Sequence, residues 1–207
     1  MIKVKINSAK LNSAYNAEDS LEDLWDFIQE QEFDSAETSQ SQIAATFKKG
    51  LIPEGSFVID FGGGKYDKAI NWCKDLGIIC AVYDPFNRSK DYNKQTMQLV
   101  KEAGGADYVT CNNVLNVIKE DDVRLSVLKN INRLVKPGGT VYLLIHEGDG
   151  DGNSRITKQK TYKNKQGEDV TTTSWQNHQK TDWYMDAVKS IWPQAKRKGN
   201  LIIVEDV

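Results

Sequence analysis

Residues 56–64 read SFVIDFGGG, a short β-rich run that breaks into three consecutive glycines, Gly62, Gly63 and Gly64. Glycine at a strand end permits positive φ and lets a ligand approach the backbone closely. Working outward, a helix is expected over about 66–76, stopped by Gly77, and IICAVYD (78–84) is the next buried strand. A helix follows from about 90 to 103, ending at Gly104-Gly105, and ADYVTC (106–111) is a third strand. DDVRLSVLKNINRLV (121–135) is a strong amphipathic helix, with Val123, Val127, Leu128, Ile131 and Leu134 near one face. KPGG closes it, and TVYLLIH (140–146) is a fourth strand. This alternation predicts an α/β fold, a Rossmann-like, mostly parallel sheet with helices on both faces.

The flanks are different in kind. GDGDGNS (148–154) reads as loop, and residues 156–173 as a polar hairpin around Gln166-Gly167. TDWYMDAVKSIW (181–192) is helical up to Pro193, and the last residues form two short antiparallel strands hinged near Gly199-Asn200. At the other end, residues 20–33 form an acidic amphipathic helix. Ser20 is its N-cap, Asp23 stands at the capping-box position, and Leu21, Leu24, Trp25 and Ile28 share a face. A second short helix, roughly 40–49, carries Ile43, Ala44 and Phe47. One domain of 207 residues is therefore expected. It divides into an acidic helical N-terminal cap (1–55), a cofactor-binding core (56–147), a variable loop and hairpin (148–180) and a C-terminal helix and hairpin (181–207).

A composition of 39% hydrophobic and 27% charged residues excludes disordered, collagenous and disulfide-scaffold classes. No apolar run is long enough to span a bilayer, and the N-terminus lacks a signal-peptide core. Cys73, Cys80 and Cys111 have no metal spacing and read as reduced thiols, as in a cytoplasmic protein. The net charge of −2 divides unevenly: residues 11–47 hold nine acids and no Lys or Arg, whereas 48–207 hold 24 basic and 20 acidic residues.

The glycine cluster suits two ligand classes. A dinucleotide site requires G-x-G-x-x-G, and counted from Gly62 the third position is Asp67. A carboxylate opposes a pyrophosphate. S-adenosylmethionine instead carries a sulfonium and an ammonium group, which Asp60 and Asp67 would attract. Asp84, 20 residues after Gly64, is placed to accept both ribose hydroxyls of an adenosine in either class of site.

With these residues in place the chain resembles the class I S-adenosylmethionine-dependent methyltransferases. VIDFGGGKYD is similar to their first motif, VYDPFNR to the second, ADYVTCNNVLNVI to the fourth, and LKNINRLVKPGGTVYLLIHE to the helix, turn and strand that follow. The likeness is good over roughly 56–147 and loose beyond. More narrowly, GGGKYD, DPFNR, NNVLNVI, EGDG, SWQNHQKTDWY and KRKGNLIIV resemble small methyltransferase-like proteins of bacteria and phages. The resemblance implies S-adenosylmethionine as cofactor, held by Asp60, Gly62, Gly63, Gly64, Asp67, Asp84, Pro85, Phe86, Asn112 and Asn113.

The chain also departs from that family. Only residues 85–106 separate Asp84 from Asp107, and one helix consumes most of them. The third strand is therefore short or missing, and adenine recognition falls to Phe86, Asn87 and backbone near 105–107. Asn112-Asn113-Val114-Leu115 lacks the Pro-Pro-aromatic of amino-methylating nucleic-acid enzymes, and no Pro-Cys supports a covalent thiolate. Cys111 reads as a packed strand thiol.

Substrate contacts are expected among Asn116, His146, Glu147 and Trp175. His146 is either a general base or a buried, hydrogen-bonded strand residue, and no catalytic residue is assigned. Asp149–Asn153 imitates a calcium loop, but Ser154 and Lys160 stand where Gly and Glu are needed, so no metal is expected. Arg155, Lys158, Lys160, Lys163 and Lys165, followed by Trp175 and Trp183, would suit a nucleic-acid strand along 155–183, or equally a solvated hairpin. The methyl acceptor is open between a small molecule and a nucleic acid. A non-catalytic sensor or partner subunit of the same fold and an NAD-dependent oxidoreductase are the alternatives. Membrane association is not expected, and the oligomeric state is not readable.

Overall fold

The computed structural model describes residues 43–163, 167 and 169–207. The expected acidic helix 20–33 lies outside the described residues. Of the second expected helix, one turn is seen, α1 (Ala45–Lys48).

Four strands and three helices alternate as the pattern demands: β1 (Phe57–Phe61), α2 (Lys68–Asp75), β2 (Ile79–Tyr83), α3 (Lys90–Ala103), β3 (Ala106–Asn112), α4 (Asp121–Leu134) and β4 (Val135–Leu144). Ser89 caps α3 through the Tyr92 N–H, and Gly104 ends it in the left-handed conformation, the two signals that stop and start a helix. β1, β2, β3 and β4 pair in parallel in the order β2-β1-β3-β4. The last two strands, β7 (Lys196–Lys198) and β8 (Leu201–Val204), extend the sheet antiparallel beyond β4.

Strand alternation sorts the core into two faces. Val58, Tyr108 and Tyr142 pack with Phe47 of α1 and with Ala69 and Cys73 of α2. Ile59, Val109 and Val141 pack with Val100 of α3 and with Val127, Leu128 and Ile131 of α4. Because α3 runs directly from β2 to β3, the expected third strand is missing and β2 is the sheet edge among the described residues. Ile79 on that edge is 64% exposed.

Three expectations need adjustment. KPGG is not a free turn: β4 is paired from Val135 onward, with an irregularity between Ala106 and Tyr108, and Gly138 donates to the Val207 carbonyl. β4 also ends at Leu144, so His146 and Glu147 lie just beyond it. The helix at 181–192 is shorter, a 3-10 turn at Thr181–Tyr184 continued by α5 (Met185–Lys189). The polar hairpin is present as β5 (Ser154–Lys163) and β6 (Asp169–Asn177), a separate two-stranded sheet. No helix among the described residues is long and apolar enough to cross a membrane.

Candidate functional site

The carboxyl ends of β1, β2 and β3 meet at the glycine turn. Gly62 and Gly64 adopt φ of +73° and +81°. At Gly62 a Cβ would fall 2.4 Å from Val114 Cγ2, and at Gly63 a Cβ would fall 2.6 Å from Asp60 Oδ2. Side chains are thus excluded from both positions, and the turn lies directly on Asp60 and on the segment after β3.

Asp60 is buried at the end of β1. Its Oδ1 accepts from Thr110 Oγ1 at 2.7 Å and from Asn112 Nδ2 at 3.1 Å. Burial raises its carboxyl from the ordinary 3.8 to about 6, against the lowering effect of these two bonds, and the neighbouring Asp84 charge raises it further. Asn112 is itself held from the N-terminal side, since Thr46 Oγ1 donates to Asn112 Oδ1 at 2.9 Å.

Asp84 is buried at the end of β2. Its main chain is fixed by the Asn93 side chain, which accepts from Asp84 N–H at 2.9 Å and donates to Asp84 C=O at 3.0 Å. Its Oδ2 accepts from Gly64 N–H at 2.7 Å. Its Oδ1 accepts from the Phe86 and Asn87 N–H groups at 3.0 and 2.9 Å. Arg88 completes the tie between the two loops: its Nε donates to Gly64 C=O at 2.7 Å and its Nη1 pairs with Asp67 at 2.6 Å. The Gly64 residue is therefore gripped at both its N–H and its C=O by the β2–α3 loop. A carboxylate and a guanidinium holding backbone groups are charge-assisted bonds, stronger than neutral ones.

Asp67 stands at the surface, 60% exposed at its side chain, with Arg88 as its cation. Pro85 is buried and Phe86 is 41% exposed. Asn113 is left-handed, with φ of +57°, and its N–H donates to the Leu144 carbonyl at 2.8 Å. Asn tolerates this conformation better than most residues.

On the far side of the turn, Asn116 is buried in a 3-10 turn (Leu115–Val117), and its Oδ1 has no hydrogen-bond partner among the described residues. β6 packs on that turn. Trp175 of β6 is half-buried, with the Lys119 ammonium 5.2 Å from its ring centroid. Tyr184 is buried beside Asn177 without a well-formed bond, and burial pushes its hydroxyl up to about 12.

His146 is exposed, so it is not the buried, hydrogen-bonded strand residue that one reading of the sequence allowed. Glu147 Oε1 accepts from both the N–H and the Oγ1 of Thr181 at 2.7 Å, bonds that hold its carboxyl below the usual range. Glu147 thus ties the end of β4 to the 3-10 turn that precedes α5. Arg155 is engaged by Asp149 and Asp151, and Lys163 by Asp169 at 3.1 Å. No group of three or more metal-ligating side chains occurs among the described residues. Cys111 is buried, which pushes its thiol well above the ordinary range.

Sequence reading missed Thr46, Thr110, Asn93 and the grip of Arg88. Arg88 carried a signal, as the last residue of the DPFNR motif. The others carried none, because their partners are 9 to 66 residues away in the chain.

A parallel sheet with a glycine turn and two buried acids at its strand ends defines a Rossmann-like α/β protein. The chain belongs to the methyltransferase domain family, which it matches over residues 29–198. Structures similar to it include DesVI of Streptomyces venezuelae (11% identity, 98% of this chain and 100% of that chain, TM-score 0.49). The PH0226 protein of Pyrococcus horikoshii is similar at 14% identity, over 78% and 86% of the two chains, with a TM-score of 0.47. The glycopeptide N-methyltransferase MtfA, complexed with S-adenosyl-L-homocysteine, is similar at 11% identity, over 77% and 86%, with a TM-score of 0.46. No curated protein matches the chain by sequence.

Proposed function

We propose that this chain binds S-adenosylmethionine at the carboxyl ends of β1, β2 and β3 and transfers its methyl group. The observation that carries the reading is the pair of buried carboxylates, Asp60 and Asp84, on either side of a glycine turn that excludes side chains. Of the two, Asp60 beside the turn opposes a pyrophosphate and favours a ligand with cationic groups, while Asp84 is placed for a ribose. When bound, the cofactor supplies a methyl group already activated by its sulfonium. Asp60, with Oδ2 against Gly63, is the group that would meet the positive charge. Asp84 would receive the ribose, and Phe86, exposed at the loop tip, would cover the adenine in place of a third-strand acid. Asn112 and Asn113 line the end of β3.

The chain's remaining task is to orient a nucleophile and exclude water. Asn116 supports an acceptor position beside Val114 and the glycine turn, because its buried Oδ1 has no donor among the described residues and an amine or hydroxyl substrate would supply one. Trp175 stands on the element packed against it. We read residues 43–55, the described part of the N-terminal segment, as a cap beside the end of β3. Ile43 and Phe47 are buried in the core, and the Thr46–Asn112 bond ties the segment to β3. The unpaired cysteines suit a reducing, cytoplasmic setting.

Calorimetry with S-adenosylmethionine, S-adenosylhomocysteine and NAD tests the donor site. Binding of the first two and not of NAD is expected, and the reverse overturns the reading. Tritiated-methyl transfer into fractionated extract then separates acceptors. Binding without transfer into any fraction would make the chain a sensor or partner subunit. Transfer into nucleic acid that collapses above ~200 mM salt would assign residues 155–183 to phosphate contacts. The acid partners of Arg155 and Lys163 favour salt-insensitive transfer and a solvated hairpin.

A further inference from the structure

Asp84 is the residue from which two ribose hydroxyl contacts are expected, yet its carboxylate is already full. A carboxylate offers about four acceptor positions. Here Oδ1 holds the Phe86 and Asn87 N–H groups, and Oδ2 holds the Gly64 N–H and the Asn87 side-chain amide, the last at 3.0 Å. Asn93 fixes the Asp84 main chain through its N–H and C=O, and the Gly64, Phe86 and Asn87 N–H groups hold the carboxylate in this orientation. Three of the four donors are main-chain groups whose positions are set by the glycine turn and the β2–α3 loop. Gly64 is further held through Arg88. The Asn87 amide is the one side-chain donor, on a half-buried residue, and so the one that rotamer change alone can withdraw.

We propose that Asn87 is a placeholder for the ribose: its amide fills one hydroxyl position on Asp84 Oδ2 and must swing away when the nucleoside binds. This rests on the donor-site reading above and sharpens it in two ways. First, Asp84 accepts one ribose hydroxyl, beside the Gly64 N–H, and not two. Second, binding there is an exchange, with one hydrogen bond gained and one released to water, so Asn87 lowers cofactor affinity while keeping the empty loop ordered.

The test is calorimetry of the full chain and of Asn87→Ala with S-adenosylhomocysteine and with its 2′-deoxy and 3′-deoxy analogues. Asn87→Ala is expected to bind S-adenosylhomocysteine about fivefold more tightly, the worth of one hydrogen bond no longer displaced. One monodeoxy analogue should lose that gain and the other should keep it. Asn87→Ser, whose hydroxyl lacks the reach of the amide, should follow Asn87→Ala and guards against a folding defect in either variant. Unchanged or weaker binding by both variants overturns the proposal, as does a gain that both monodeoxy analogues keep or that both lose. If the parent chain itself binds no S-adenosylhomocysteine, the donor-site reading falls, an outcome distinct from failure of the Asn87 exchange alone.

Discussion

The loops around the glycine turn and the β5–β6 hairpin both carry several charged residues, but they are built on opposite terms. At the turn Asp60, Asp84 and Arg88 are tied to backbone or to buried partners: Asp60 to Thr110 and Asn112, Asp84 to Gly64, Arg88 to the Gly64 carbonyl. Around the hairpin the ion pairs are at the surface, as Arg155 with Asp149 and Asp151 and Lys163 with Asp169. Exposed pairs contribute little because water and salt screen them. Motif-like composition therefore means something different in each place. The turn's charges are bound inside the fold, whereas the hairpin's described ion pairs lie at the surface.

The glycines give the largest test of that contrast. Gly62→Val combines a positive φ with a collision against Val114 and is expected to destabilise the chain by about 4 kcal/mol in denaturant unfolding. Gly167→Ala in the hairpin also has positive φ, at +81°, but meets no described atom within 4 Å, and should cost only about 1 kcal/mol. Equal costs would break the comparison.

Asp60 gives the next effect. Its folded value is about 6 against an ordinary 3.8, so the folded chain keeps the proton longer than the unfolded one. Stability is then highest below about pH 4 as far as this group is concerned, and falls by about 3 kcal/mol as the pH rises to above 6. Thermal unfolding of Asp60→Asn against the parent between pH 4 and pH 7 should remove this slope. Affinity for S-adenosylmethionine should rise over the same interval in the parent and stay flat in Asp60→Asn. A rise in both would assign the titration elsewhere.

Asp84→Ala is expected to weaken S-adenosylhomocysteine binding at least about tenfold, or ~1.4 kcal/mol, by calorimetry. It removes the proposed ribose acceptor and releases Gly64, Phe86 and Asn87 together. The smallest effect belongs to the hairpin: Arg155→Ala should leave the thermal midpoint unchanged within error. A clear drop would show that its pairs with Asp149 and Asp151 organise the loop.

Much of this could be read from residues alone. Strand and helix periods placed β1 to β4 and the helices between them within a few residues, because local burial pattern dictates local geometry. The short spacing from Asp84 to Asp107 removed the third strand, since 22 residues hold one helix and its turns and little more. Glycine at positions 62 and 64 announced positive φ. Glu147 and His146 show where that reading stops. Both follow a strand in sequence, yet one is drawn to Thr181 and the other turns outward, and nothing local distinguishes them.

By itself, then, the sequence determined the layered α/β order, the missing strand and the position of the glycine turn, all of which depend on neighbours a few residues apart. Only the tertiary structure decided which acceptors are already filled. It closed Arg88 on Gly64, brought Thr46 to Asn112 across 66 residues, left Asn116 Oδ1 without a donor among the described residues and set four donors on the Asp84 carboxylate. Hydrogen bonds are short and directional, so their pairing is settled only when the loops from different strands converge.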